Sequence, residues 1–217
     1  MNTLYLWDTP NGHKPAIMLE ELGEPWNLVP VDISKGTQFS ADFVKINPNS
    51  KIPAFVDDDV VLFESGAILQ YLAEKHRRFL APSGQERATA LSWCYWQAGG
   101  LGPMLGQWGH FVFIDERHPY AIERYLTETI RLYEVLEQRL SEVPYLAGDE
   151  YSIADMMSFP WVKSGNSYLK NEKYQAADRL PHLPNLDRWI DKIDSRPAVK
   201  AALERVTNET GSASGDG

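Results

Sequence analysis

At 217 residues, 43% hydrophobic and 24% charged, the chain has the composition of a globular protein with one large domain or two small ones. Thirty Asp and Glu against 21 Lys and Arg give a formal net charge of -9, which argues against the broad basic face that nucleic-acid binding relies on. A single cysteine, Cys94, excludes an internal disulfide framework, a CxxC redox pair and a cysteine-rich metal site, so any redox thiol must come from elsewhere.

The first strand is expected at residues 3–7, Thr-Leu-Tyr-Leu-Trp, followed by the turn-forming run Asp8-Thr9-Pro10-Asn11-Gly12. Apolar residues at 15, 18, 19 and 22 predict a helix, and residues 27–33 alternate as a second strand. Phe39, Phe43 and Ile46 mark a short helix that stops at Asn47-Pro48-Asn49. Residues 52–56 and 60–63 flank the acidic turn at 57–59 as a hairpin, and Ile68, Leu69 and Leu72 place one face of a helix over 66–76. A small α/β domain is thus expected over 1–77.

Beyond a linker at 77–84 the pattern is helical throughout. Helices are expected at 85–96, from Ile122 to near Pro144, at 152–168 and at 186–193, the last beginning a final pair, with a glycine-rich bend at 98–103. An all-helical domain is expected over 85–206 and a disordered tail over 207–217. No apolar run approaches the roughly 18 residues of a membrane span. Met1-Asn2-Thr3-Leu4 lacks the basic-then-apolar pattern of a signal peptide, so a cytoplasmic protein with no membrane partner is expected.

Two segments carry the chemistry. Pro53 opens a strand without a backbone donor, which fits either an ordinary edge-strand proline or a cis bond that turns the Ile52 backbone outward to pair with an extended peptide. In Phe63-Glu64-Ser65-Gly66 a strand runs straight into a helix. Ser65 reads as an N-cap there, serving the helix alone or forming, with the amides behind it, a site for a carboxylate.

Together, Asn49-Ser50-Lys51-Ile52-Pro53-Ala54, Glu64-Ser65-Gly66-Ala67-Ile68 and Tyr151-Ser152-Ile153-Ala154-Asp155 resemble the glutathione transferase family. The last of these is structural, with Ser152 and Asp155 spaced as a capping box. A finer resemblance, to the nu class, lies in Thr9-Pro10-Asn11-Gly12-His13-Lys14, Lys35-Gly36-Thr37-Gln38-Phe39, residues 99–107 and Tyr120-Ala121-Ile122-Glu123-Arg124-Tyr125. The resemblance implies a thioredoxin-like N-terminal domain followed by an all-α domain, pairing as a homodimer. It implies glutathione as substrate or co-substrate, with no metal. Thr9 and Asn11 are then expected at the glutathione sulfur, and Gln38, Lys51, Ile52, Glu64, Ser65 and Arg124 around the tripeptide.

These roles suit the ligand's chemistry. Ser65 with its helix N-terminus fits the γ-glutamyl carboxylate, Glu64 the ammonium, and Lys51 with Gln38 the glycine end, while Arg124 adds a second positive charge. A thiol with a pKa near 8.5 needs donors such as Thr9 and Asn11 to be held as thiolate at pH 7. The expected activity is glutathione-dependent disulfide reduction. Its alternatives are transfer to an electrophile or thioether cleavage, and a non-catalytic glutathione-binding regulatory module.

Other residues read more plainly. Cys94, among Trp93, Tyr95 and Trp96, reads as a buried structural thiol, and Tyr5 as a packed strand residue. The five histidines lack metal-ligand spacing. Trp108-Gly109-His110-Phe111 is a departure from the family pattern and is expected to wall the substrate pocket, leaving the second substrate open.

Overall fold

The structure, a computed structural model, describes residues 2–174 and 176–211. The chain divides into two compact units, one comprising residues through Leu80 and again from Asp194, the other Ala81–Ile193.

In the first unit, β1 (Asn2–Leu6) leads to α1 (Pro10–Leu22) and β2 (Trp26–Pro30). Single 3-10 turns at Ile33–Lys35 and Thr37–Phe39 precede α2 (Ala41–Ile46), β3 (Ala54–Asp57), β4 (Val60–Phe63) and α3 (Ser65–His76). The sheet order is β2-β1-β3-β4, with β1 and β2 parallel and the other pairs antiparallel. This is the thioredoxin-like arrangement expected. Strand β1 alternates buried and half-buried residues, and its Leu4 and Leu6 share a fully buried core with Ile17, Met18 and Leu19 of α1, Phe55 of β3 and Ile68, Leu69 and Leu72 of α3.

Helix α1 starts earlier than the apolar periodicity implied. Thr9 is its N-cap, with the Oγ1 accepting from the Gly12 amide at 3.2 Å, and Pro10 takes the first helical position, where a missing N–H costs nothing. The residues read as a turn are therefore the cap and first turn of the helix.

Helix α9 (Pro197–Thr210) belongs to this unit and packs along α1. This differs from the expected boundary, which put everything through 206 in the helical domain and began a tail at 207. Val199, Ala202, Val206 and Thr210 repeat at helical spacing as a buried face, and that face carries the helix through 207–210. Residues 212–217 of the expected tail lie outside the described residues. Arg196, at the N-cap of α9, grips Glu21 of α1 with both ends of its fork, at 2.5 and 2.8 Å.

The second unit contains α4 (Gly84–Trp96), a π-helical turn (Gln97–Leu101), α5 (Gly102–Phe113), α6 (Pro119–Glu142), α7 (Ile153–Leu169) and α8 (Pro184–Asp194), whose last residue falls in the first unit. The expected glycine-rich bend is instead a continuous helical passage. A Cβ at Gly102 would meet the Gln97 side chain, and one at Gly106 the Trp161 ring of α7, so these glycines permit close packing within the chain. The capping box is present: Ser152 Oγ accepts from Ala154 N at 3.2 Å, and Asp155 Oδ2 from Ser152 N at 3.0 Å. Asp155 is fully buried and also accepts from Leu146 N and Trp189 Nε1, binding three segments of the unit together. Burial outweighs these donors and pushes its carboxyl above the usual range. No helix among the described residues is long and apolar enough to cross a membrane.

Candidate active site

Strand register brings the first unit's chemistry to one end of the sheet. Tyr5 pairs with Ala54, and Ala54 with Phe63. Strands β1 and β4 run toward this row and β3 runs away from it, so residues 7–9, 51–53 and 64–65 all emerge there. The N-termini of α1 and α3 open at the same end, each with amides that lack intrahelical partners.

The loop entering α1 is firmly held. Asp8 accepts from Thr207 Oγ1 of α9 at 3.1 Å and pairs with His13 Nε2 at 2.6 Å. A Cβ at residue 12 would strike the Trp7 carbonyl, so glycine is what lets the chain turn into the helix this closely. Besides capping the helix, the Thr9 hydroxyl donates to Trp7 O across 3.4 Å, a long bond that is cheap to exchange for a ligand. Asn11 is half-buried two residues further on.

At the sheet end of β3 the Ile52-Pro53 bond is cis. Among the described residues, the Ile52 amide and carbonyl form no backbone hydrogen bond within the chain. Lys51 is exposed, and its carbonyl accepts from Asn47 Nδ2 at 2.6 Å. Gln38 lies in the 3-10 turn after β2, with Oε1 buried and unpartnered and Nε2 reaching Ile33 O at 3.5 Å.

At α3, Glu64 rather than Ser65 takes the N-cap position, and Ser65 is the first helical residue. This corrects the reading of Ser65 as the cap. Glu64 adopts φ 71°, a conformation that costs a non-glycine residue free energy and that proteins tend to retain at binding sites. Its side chain is exposed and makes no cap hydrogen bond. Ser65 is buried, and its Oγ accepts from Lys14 Nζ at 3.3 Å.

Lys14 is the residue that sequence reasoning missed. It is 2% exposed, projects from α1, and donates to Asn11 Oδ1 at 2.9 Å as well as to Ser65 Oγ. A signal was present in the sequence: Lys14 stands three and four residues before Ile17 and Met18, on the helix face that is otherwise apolar.

Arg124 belongs to the second unit, exposed on α6, where its charge helps hold the Glu128 carboxyl low after the larger effect of the Arg131 hydrogen bond. Cys94 is buried in α4. Tyr5 packs against Phe43, with ring centroids 6.2 Å apart. Trp108 is 1% exposed, which corrects its reading as a pocket wall: with Leu101 and Leu105 it forms a helical stripe facing the core of its unit. His110 is exposed, and Phe111 stacks on Tyr125 at 5.7 Å. Among the described residues, no three His, Cys, Asp or Glu side chains gather as a metal site.

A thioredoxin-like sheet with a cis-proline beside the N-termini of two helices, followed by a helical unit, defines the glutathione transferase class. Residues 2–74 match the family model described as the N-terminal domain of glutathione S-transferase, and residues 103–197 match that of the C-terminal domain. The chain belongs to the glutathione S-transferase family. It is 48% identical over 211 residues to the disulfide-bond oxidoreductase YfcG of Escherichia coli, covering 94% of each chain. A family member from Pseudomonas fluorescens, solved with two glutathiones bound, is 36% identical and superimposes with a TM-score of 0.87 over 94% of this chain and 92% of that one. A glutathione transferase from Pseudomonas putida, solved with one glutathione disulfide bound per subunit, is 37% identical, with a TM-score of 0.85 over 94% and 90% of the two chains.

Proposed function

We propose that the chain is a glutathione-dependent disulfide-bond oxidoreductase whose nucleophile is the thiolate of bound glutathione. The observation that carries this reading is the convergence, at one sheet end, of Thr9 and Asn11, the Ile52 backbone, and Glu64 with Ser65. The tripeptide offers a matching set: a thiol for Thr9 and Asn11, a cysteinyl backbone for Ile52, a γ-glutamyl carboxylate for Ser65 and an ammonium for Glu64. Lys51 and Gln38 take the glycine carboxylate.

The chemistry balances without a protein thiol. The glutathione thiolate attacks one sulfur of the substrate disulfide, a mixed disulfide forms, and the other half leaves as a thiolate that takes up a proton. A second glutathione thiolate then attacks the glutathione sulfur of the mixed disulfide, releasing the second substrate thiol and leaving glutathione disulfide. Relatives holding two glutathiones or one glutathione disulfide support this sequence. So does the buried state of Cys94.

The working unit is a homodimer, and its location is the cytoplasm, where the glutathione pool is kept reduced. Two assays on the purified protein test the reading: glutathione with a small model disulfide, and glutathione with an aryl halide. Faster turnover of the disulfide is expected. Dominance of the halide would make the protein a conventional transferase, and tight glutathione binding with neither turnover would make it a regulatory module.

A further inference from the structure

We infer that Lys14 is a positioning residue, a buried ammonium that sets the hydrogen-bond polarity of both Asn11 and Ser65 so that each turns a donor toward glutathione. An ammonium has three donors and no acceptor. Its bond to Asn11 at 2.9 Å therefore claims the amide oxygen, and the NH2 group is left facing the other way. Its bond to Ser65 at 3.3 Å takes an oxygen lone pair and leaves the O–H to donate. One cation, 2% exposed, thus serves two side chains 54 residues apart.

The two ligand groups concerned, a thiolate and a carboxylate, both accept hydrogen bonds. An asparagine flipped by half a turn would present oxygen to the sulfur and repel it. Lys14 forbids that flip at no cost when glutathione binds, which is the advantage of a preorganised donor. The same logic explains why residue 11 is Asn and not Asp: a carboxylate would satisfy Lys14 equally well yet offer the sulfur only an acceptor.

The inference rests on the proposed placement of Asn11 at the sulfur and Ser65 at a carboxylate, and the test separates the two. The ultraviolet absorbance of the thiolate, titrated against pH with glutathione bound, reads the thiol's apparent pKa directly. In Lys14→Met this pKa is expected to rise and kcat to fall about 10- to 100-fold, the worth of a charge-assisted hydrogen bond. In an Asn11→Ala background the further change to Lys14→Met should alter the thiol pKa little and kcat by no more than about two-fold, because the intermediary is already gone. Losses that simply multiply would overturn the inference, as would a Lys14→Met protein with an unshifted thiol titration. If Asn11→Ala itself leaves titration and turnover unchanged while glutathione binds, the placement of Asn11 fails instead.

Should Lys14→Met not fold, Asn11→Asp decides. It keeps an acceptor for Lys14, so melting temperature should hold, while the thiol pKa rises and kcat falls at least about 10-fold. An Asn11→Asp protein with the wild-type titration would show that side-chain polarity at residue 11 is irrelevant, and the inference would be lost.

Discussion

The Thr9 hydroxyl accepts from the Gly12 amide at 3.2 Å, so the side chain proposed to face the glutathione sulfur is also the N-cap of α1. Its oxygen is committed to the helix, while its proton is held only by a long bond to Trp7 O, 3.4 Å between the oxygens, and is available to a ligand. Thr9→Ala should lower stability by about 0.5–2 kcal/mol through the lost cap. It should also lower kcat about 10- to 100-fold through the lost donor. Thr9→Ser keeps both functions and should remain near wild type in thermal unfolding and turnover. A fully active Thr9→Ala protein would remove Thr9 from the sulfur.

A second prediction concerns pH. Asp57 is buried at the end of β3, where it pairs with Lys75 of α3 and accepts from Tyr71 Oη at 2.8 Å. The lysine bond, followed by the tyrosine bond, holds its carboxyl below the usual range despite burial. A depressed acid stabilises the fold fully above its unfolded pKa, about 3.9, and loses that contribution as pH falls through the folded value. Lys75, raised chiefly by its bond to Asp57, acts oppositely: its share is complete below the ordinary value of 10.5 and lost as pH rises beyond it. Asp57→Asn should therefore cost about 1–3 kcal/mol at neutral pH. In denaturant titrations the gap to wild type should close below about pH 4 and narrow again at strongly alkaline pH. A gap independent of pH would mean that packing, not charge, accounts for the loss.

Cys94→Ala is expected to retain disulfide reduction. The thiol is buried in α4, 6% exposed, where it behaves as a small apolar side chain. Stability should fall by about 1 kcal/mol, comparable to one buried methylene-sized group. Near-complete loss of turnover with unchanged folding would place the nucleophile on the protein rather than on glutathione.

Much of the first unit was legible because its signals are local. Alternation in β1 and the acidic turn between β3 and β4 need no distant partner to be read. Residues 10–12 misled because Pro-Asn-Gly has turn composition, yet after a capping threonine the same residues make a helical first turn. The place of α9 was hidden for the opposite reason: its apolar face is plain in the sequence, but whether it lies on α1 or among α4 to α8 is settled only by packing. Trp108 followed the same pattern, an aromatic whose helical spacing with Leu101 and Leu105 outweighed its unusual neighbours. At the sheet end, Lys51 and Glu64 could each be placed from local pattern alone, one just before β3 and the other just before α3. Lys14 could not, because its role depends on Asn11 and Ser65 meeting across 54 positions of sequence.

Ser65 gives the last prediction, and it differs in kind from that for Thr9. Because Glu64 occupies the N-cap of α3, the Ser65 hydroxyl is not needed to hold the helix. Ser65→Ala therefore spares the cap, and its cost to stability, about 1–3 kcal/mol, comes from the acceptor that buried Lys14 loses. In the proposed placement it removes a donor to a carboxylate, made equally in the ground state and the transition state and remote from the reacting sulfur. Uniform binding of this sort lowers KM without raising kcat. Ser65→Ala should raise the KM for glutathione about 10- to 100-fold, while kcat at saturating glutathione and the thiol titration stay near wild type. The opposite split, a fall in kcat with KM unchanged, would put Ser65 at the sulfur and require the ligand to lie the other way along the sheet end.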